Sequence, residues 1–221
     1  MNVKLVSLTQ PQINGYDDEV MSAESIIAYC AWVSNPENHH YVATAPKLLK
    51  FLIKHKHWSP FEMVNMCVEI ETSRAIAAQI LRHRSFSFQE FSQRYSKATE
   101  LEDLELRTQA EKNRQSSSEV VTDKNANDLA NLMMESSLDL YKQLMMMGVA
   151  RESARMILPL GTKTTMYMNG SIRSWIHYIG LRTEQNTQKE HRDVANEIKE
   201  IFIQHFPNIS EALEWEQKQK N

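Results

Sequence analysis

The chain has 221 residues, 42% of them hydrophobic, which is enough length and apolar content to bury a core as one compact domain over residues 1–221. Its 25 basic and 28 acidic side chains give a net charge of −3, so the composition argues against a nucleic-acid-binding or membrane-surface protein. No stretch approaches the ~20 apolar residues that span a bilayer, and the start lacks the pattern of a signal peptide.

The cysteine and glycine content argues against several common kinds of metal and nucleotide site. Cys30 and Cys67 stand far apart without CxxC or CxxH spacing, which argues against a disulfide scaffold or structural zinc and favours a reducing compartment, the cytoplasm of a cell or of a virus's host. With five glycines and neither GxGxxG nor GxxxxGK[ST], any nucleotide must be held mainly by side chains.

The first part of the chain predicts a strand followed by helices. Residues 3–8 are short and apolar-rich, as in a strand, and Pro11 with Asn14-Gly15 predicts a break. Ser22 is predicted to cap a helix over AESIIAYCAWVS, and Pro46 to begin another over PKLLKFLIKHKH. The apolar stripe of the second helix comprises Leu48, Leu49, Leu52 and Ile53.

Residues 61–71 alternate with a period of two and predict a strand. Its inward side is predicted to carry Val64, Met66, Val68 and Ile70. Thr72 or Ser73 then caps a helix over SRAIAAQILRH, with Gln79, Arg82 and His83 on its polar face. Its apolar face comprises Ile76, Ala77, Ile80 and Leu81.

Residues 97–127 are polar and serine-broken, which predicts a surface excursion or mobile lid. Asn127 or Asp128 is predicted to open an amphipathic helix that ends at Gly148. The residues predicted to face the core are Leu129, Leu132, Met133, Leu140, Leu144 and Met147.

In the last third, Arg151 and Arg155 lie one turn apart on a helix that Pro159 stops, and Asn169-Gly170 predicts a turn. A helix over SIRSWIHYIGLR follows, with Arg173 and His177 together on its polar face, and a final helix covers about 188–206. Its buried side is predicted to comprise Ile172, Trp175, Ile176 and Ile179.

Residues 82–96, RHRSFSFQEFSQRYS, are the densest polar cluster. Arginine forks and serine hydroxyls suit phosphates or a pyrimidine edge, and the interleaved aromatic rings can support a flat heterocycle. A solvated basic loop is the other interpretation that composition alone leaves open.

The segment reads RHRxxSxxxxSxRYS, which resembles the signature of the flavin-dependent thymidylate synthases (ThyX). HWSPFEM, ARMILPL and RSWIHYIGLR resemble further segments of that family, in order, between about residues 55 and 206. The resemblance implies an α+β fold, an antiparallel sheet packed with helices, assembled as a homotetramer with shared active sites. It also implies methylation of dUMP to dTMP with FAD, a nicotinamide such as NADPH, and 5,10-methylenetetrahydrofolate.

The same resemblance implies roles for individual residues. Arg182 would activate the substrate by stabilising negative charge on the uracil ring, and His57 would lie near the folate. The expected FAD contacts are Ser59, Arg82, His83, Arg84, Glu90 from a neighbouring subunit, Ser171, Arg173 and His177. The expected dUMP contacts are Gln79, Arg82, Glu90, Ser92, Arg94, Arg155 and Arg182. Where some members carry asparagine at the start of the late helix, this chain has Ser171.

Other interpretations have weaker support. Ser92 as a nucleophile lacks a histidine–carboxylate pair at recognisable spacing, and Cys67 lies inside a predicted strand as a small buried residue. A metal-dependent hydrolase could use His39-His40 and His55-x-His57, although no known zinc spacing appears. A non-catalytic nucleotide- or nucleic-acid-binding module remains the alternative, and the net negative charge weighs against it.

Overall fold

The computed structural model describes residues 1–13, 21–34, 44–98 and 100–215. A four-stranded antiparallel sheet, ordered β1-β2-β6-β3, forms its centre. The strands are β1 (Asn2–Leu8), β2 (Asn65–Ser73), β3 (Ser87–Glu90), β4 (Arg107–Gln109), β5 (Ser117–Val120) and β6 (Lys163–Ser171), of which β4 and β5 pair separately. The predicted α+β class with an antiparallel sheet is confirmed.

Eight α-helices occur in the described part of the chain: α1 (Ala23–Ala31), α2 (Ala45–Lys54), α3 (Arg74–Ile80), α4 (Lys124–Met146), α5 (Arg151–Ala154), α6 (Ile172–Arg182), α7 (Lys189–His205) and α8 (Pro207–Ala212). Ser22, Ser73 and Ser171 cap α1, α3 and α6, each accepting a hydrogen bond from the backbone N–H three residues later. None of the helices in these ranges combines the length and apolar character that crossing a bilayer requires.

One face of the sheet forms the core. β2 and β6 turn every second side chain toward α6 and α7, as the period of two predicts. The fully buried residues of this interface are Met66, Val68, Ile70, Met166, Met168, Trp175, Ile179, Val194, Ile198 and Phe202. The predicted inward sides of the 61–71 strand and of the 171–182 helix are therefore confirmed.

Two local predictions are wrong at their edges. The strand starts at Asn65 rather than residue 61, because Ser59–Glu62 forms a 3₁₀ turn with Pro60 near its start. Leu81 is exposed, because α3 ends at Ile80 before its apolar face continues. The predicted break at Asn14-Gly15 lies outside the described residues.

Asn169-Gly170 is not a turn but part of β6, paired with Cys67 and Met66 of β2. The glycine serves close packing here and not a positive φ, which the described glycines show only at Gly148. A Cβ on Gly170 would come within 2.4 Å of the Phe86 ring, and that ring packs edge-on against Trp175 at 4.7 Å. A side chain at 170 would therefore displace an aromatic ring of the core.

α4 turns most of its predicted inward face outward, and of that set Leu144 alone packs against a buried cluster. Leu129, Leu132, Met133, Leu140 and Met147 are between 47% and 79% exposed, whereas Leu138 and Tyr141 on the other side are buried. The helix also begins earlier than predicted, at Lys124, because the Asp123 side chain accepts from the N–H groups of Asn125 and Ala126. Its end beside Gly148 agrees with the prediction.

Residues 107–120 contain the β4–β5 hairpin, which the polar composition of residues 97–127 did not predict. Arg107 anchors it: the guanidinium bonds Glu105, Ser117 and Glu190 at the start of α7. A short helix, α8, also follows α7 where no element was predicted.

Candidate active site

A cleft of about 790 Å³ opens beside α6. Arg173, His177 and Leu181 line it from one face of the helix, while Trp58 comes from the turn before β2 and Ser85 from the loop after α3. Arg173 and His177 share this face because they lie four residues apart, one helical turn. The cleft therefore combines an arginine, an imidazole, a serine hydroxyl and the carboxylates of Glu62 and Glu184 with the apolar side chains of Trp58 and Leu181.

Glu62 binds two residues at the N-terminal end of α6. It accepts from Arg173 Nη1 at 2.9 Å and from the Ser171 hydroxyl at 2.5 Å. Ser171 is therefore engaged with both Glu62 and the first turn of α6, while the Arg173 side chain stays about half exposed and can turn further donors to a ligand.

Arg182 and His83 form the closest contact between two predicted site residues. Arg182 Nε donates to His83 Nε2 at 2.8 Å, so His83 must present a lone pair there. Burial, and then the positive charge of Arg182, lowers the pKa of His83 to about 4. The pair is thus a guanidinium held by a neutral imidazole.

Gln79 lies on α3 beside α7. Its side-chain oxygen faces Nδ1 of His191 at 3.2 Å, and its nitrogen donates to Gln188 at 2.6 Å. His191 in turn contacts the hydroxyl of Tyr178, whose ring packs edge-on against His83 at 4.9 Å. Gln79 and His83 therefore belong to one packed unit.

Ser92 and Arg94 line a separate depression of about 490 Å³ together with Arg151 and Glu152. Arg94 pairs with Glu152 at 3.2 Å, and Arg155 donates from Nε to the carbonyl of Glu152 at 3.4 Å. The Arg94 pair is solvent-exposed and screened, so it can exchange its carboxylate for another anion at little cost.

Glu90 is committed within its own chain. Its carboxylate accepts from Arg74 and, at 2.9 Å, from the Thr164 hydroxyl. Arg74 was missed by the sequence analysis, since a basic residue in the first turn of a helix carries no signal of a partner sixteen positions away.

Four predicted residues reach solvent: Ser59, Arg82, Arg84 and His57. Arg82 and Arg84 form no side-chain hydrogen bond or ion pair with the described residues, so both guanidinium groups have free donors. His57 follows the end of α2, with its ring 6.0 Å from that of Phe51.

The alternative chemistries gain little from this geometry. Cys67 is half-buried rather than buried, because alternation along β2 turns it away from the core. Within the described residues no group of three His, Cys, Asp or Glu side chains could hold a metal ion, and Ser92 has no hydrogen bond to a histidine. His39-His40 lie outside those residues.

The chain is similar to named enzymes over nearly all of its length. A family model described as thymidylate synthase complementing protein matches residues 18–208. A flavin-dependent thymidylate synthase from Synechocystis sp. is 53% identical over 220 residues, covering 97% of this chain and 100% of that protein. A probable flavin-dependent thymidylate synthase of Paramecium bursaria Chlorella virus 1 is 51% identical over 219 residues, with the same coverage.

A solved structure shows the same fold. The crystal structure of a UMP/dUMP methylase from Streptomyces cacaoi bound with 5-Br dUMP has a TM-score of 0.79 at 22% identity, covering 96% of this chain and 94% of that one. Since the relatives carry enzyme names, the comparisons do not support a non-catalytic binding module. The match over residues 18–208 and the identity of more than half over full-length relatives show that this chain belongs to the family of flavin-dependent thymidylate synthases.

Proposed function

We propose that this chain, as a single catalytic domain, converts dUMP to dTMP without a cysteine nucleophile. 5,10-Methylenetetrahydrofolate provides the carbon, NADPH provides the reducing equivalents through FAD, and the other products are tetrahydrofolate and NADP⁺. The observation that carries the proposal is the Arg182–His83 contact at the end of the same helix that presents Arg173 and His177 to an open cleft.

The residues around the cleft suit FAD. A pyrophosphate needs several directional donors when no glycine-rich loop is available. Arg173 lines the cleft, and the exposed Arg82 and Arg84 precede its lining residue Ser85 in the chain, so these arginines are the donors we assign to it. Trp58 and Leu181 offer apolar surface for a flat ring system. When bound, FAD supplies the two-electron reductive chemistry that the protein's own side chains lack.

Arg182 is the residue to which we assign substrate activation. Its Nε–H is occupied by His83, which leaves both terminal nitrogens to face the substrate in a fixed direction. A guanidinium directed at a uracil carbonyl stabilises the negative charge that develops as C5 attacks the carbon donor. His83 holds this cation in place as a neutral acceptor and adds no competing positive charge.

Ser92, Arg94 and Arg155 are assigned to the phosphate of dUMP, with Gln79 directed at the base. Arg94 would exchange the exposed Glu152 carboxylate for the phosphate, a charge-assisted contact of the kind that arginine forks favour. His57, exposed beside Phe51, is assigned to the folate ring.

We further propose a homotetramer with shared sites. α4 leaves an exposed apolar stripe of Leu129, Leu132, Met133, Leu140 and Met147, a surface of the kind that a subunit contact covers. Neither Glu90 nor the depression around Ser92 borders the α6 cleft within one chain, so a neighbouring subunit would complete the site. We place the protein in the cytoplasm, a reducing compartment in which its two free cysteines stay reduced.

Anaerobic product analysis tests the reaction. Purified protein stripped of flavin is mixed with dUMP and methylenetetrahydrofolate, with and without FAD and NADPH. The proposal expects dTMP only in the complete mixture. Normal flavin binding without any dTMP in the complete mixture would contradict the reaction while leaving the family assignment intact.

A further inference from the structure

A chain of hydrogen bonds runs from the hairpin to Gln79. Arg107 donates to Oε1 of Glu190, and Gln188 Nε2 donates to Oε2 of Glu190 at 2.8 Å. Gln79 Nε2 then donates to Oε1 of Gln188 at 2.6 Å. His191 Nδ1 lies 3.2 Å from Oε1 of Gln79, and its Nε2 lies 3.1 Å from the Tyr178 hydroxyl.

The direction of every bond in this chain follows from its first member. Arginine only donates and a carboxylate only accepts, so Glu190 must receive the amide nitrogen of Gln188. The oxygen of Gln188 then faces Gln79, so Gln79 must donate to it from its amide nitrogen. The oxygen of Gln79 therefore faces His191, which must carry its proton on Nδ1 and accept from Tyr178 on Nε2.

At the buried end of this hydrogen-bond chain, the protonation states of His191 and Tyr178 match these directions. His191 is fully buried, and burial lowers its pKa to about 3, so the ring is neutral and has one N–H. Burial raises the pKa of Tyr178, so its hydroxyl keeps the proton that it donates. A reversed donor anywhere along the chain would leave two lone pairs or two hydrogens facing each other.

We propose that Glu190 and His191 are positioning residues that fix the orientation of the Gln79 amide and thereby make the site select a 4-oxo pyrimidine over a 4-amino pyrimidine. This inference rests on the proposed function, in which Gln79 faces the base of dUMP. An amide has two hydrogens and two oxygen lone pairs, and the chain uses one of each. One N–H and one oxygen lone pair of Gln79 remain for a ligand. Because the other two are bound, the amide cannot flip to exchange their positions.

Uracil and cytosine differ in the groups that such an amide can read. Uracil has an acceptor at position 4 and an N–H at position 3, whereas cytosine has an amino donor and a bare nitrogen there. An amide in one orientation complements only one of the two pyrimidines, because the other pairs like with like. The hydrogen-bond chain would thus carry specificity from a salt bridge that never touches the substrate.

Glu190→Gln is the decisive variant because it keeps the shape and changes the polarity. Arg107 requires an acceptor, so the new amide would turn its oxygen to Arg107 and its nitrogen to Gln188. Gln188 and Gln79 would then both reverse. His191→Leu removes the donor to Gln79, whereas His191→Asn keeps a nitrogen near the position of Nδ1 and should restore the wild-type orientation.

The experiment measures dissociation constants for dUMP and dCMP by calorimetry on the flavin-loaded protein, together with kcat/KM for both nucleotides. E190Q and H191L should each lower the preference for dUMP over dCMP by about tenfold, the typical cost of one misdirected hydrogen bond. H191N should stay within about threefold of wild type. Asp193→Asn, a matched loss of an acid that pairs with Lys189 on the same helix, should change nothing.

Folding is monitored by thermal melting and flavin content. Equal losses for both nucleotides with a lower Tm would mean a structural role only and would overturn the proposal, as would a wild-type preference in a well-folded E190Q. Because calorimetry needs no turnover, failure of the thymidylate synthase reaction itself would appear separately, as absence of dTMP from wild-type protein that still binds dUMP.

Discussion

Arg182 and His83 face each other across 2.8 Å with the guanidinium as donor, although they lie 99 positions apart in the chain. The contact joins the last residue of α6 to the loop after α3. A histidine inside this arginine-rich segment stays uncharged because burial, and after it the positive charge of Arg182, lowers the pKa of His83 to about 4.

Arg182→Ala should leave flavin bound and lower dTMP formation by at least about a hundredfold, the typical effect of removing one donor to a developing oxyanion. The measurement is single-turnover dTMP formation, with flavin content from absorbance. Arg114→Ala, an exposed arginine on the hairpin, is the matched control and should retain full activity. Normal turnover in R182A would remove the activation role from this residue.

His191 and His83 should make the protein less stable as the pH falls below about 6.5. Burial is the main cause that lowers both pKa values, from 6.5 to about 3 for His191 and about 4 for His83. In the window between these values the unfolded chain binds more protons than the folded one, so the free energy of unfolding rises with pH. Above about 6.5 this contribution is complete, and it diminishes progressively during acidification.

Chemical denaturation at a series of pH values between 4 and 8 measures this slope. His191→Asn, which cannot titrate, should show a smaller loss of unfolding free energy between pH 6.5 and 4 than wild type. The exposed His205→Asn serves as the control and should follow the wild-type curve. Parallel curves for wild type and H191N would show that His191 is not held neutral by burial.

A protein without cysteine should remain active. Burial raises the pKa of both Cys67 and Cys30, which lowers the fraction of thiolate, the form that attacks carbon. Cys67 also lies in the middle of β2, opposite Asn169, rather than at the α6 cleft. The double variant Cys30→Ala, Cys67→Ala should form dTMP within about twofold of the wild-type rate. Complete loss with normal flavin content and Tm would restore a covalent cysteine mechanism.

Local signals in the sequence were sufficient for most elements but not for their partners. Ser22 and Ser73 are helix caps, and alternation marks the buried side of β2, because these features depend on residues a few positions apart. β6 was missed because Asn169-Gly170 resembles a turn, and the reason for its glycine is a ring from Phe86, 84 positions earlier. The arginines, serines and aromatic residues of the 82–96 segment were also visible in the sequence, because they lie next to one another in the chain.

Contacts between distant residues had no such signal. Nothing near Gln79 indicates that His191 and Gln188 hold its amide, and nothing near Glu90 indicates Thr164. The outward face of α4 shows a related limit, since helical periodicity identifies an apolar stripe but cannot tell whether the chain's own core or another subunit covers it.

That stripe provides the test of assembly. Leu132 lies on the apolar face of α4 and is 57% exposed in the single chain. If this face forms a subunit contact, Leu132→Glu would bury an unpaired charge at each copy of that contact. Wild type should have the mass of four chains by light scattering, whereas L132E should shift to smaller species and lose dTMP formation because shared sites come apart. Asn131→Glu adds the same charge on a neighbouring exposed position away from the stripe and should keep both mass and activity. A fully active single chain of L132E would show that one subunit holds a complete site.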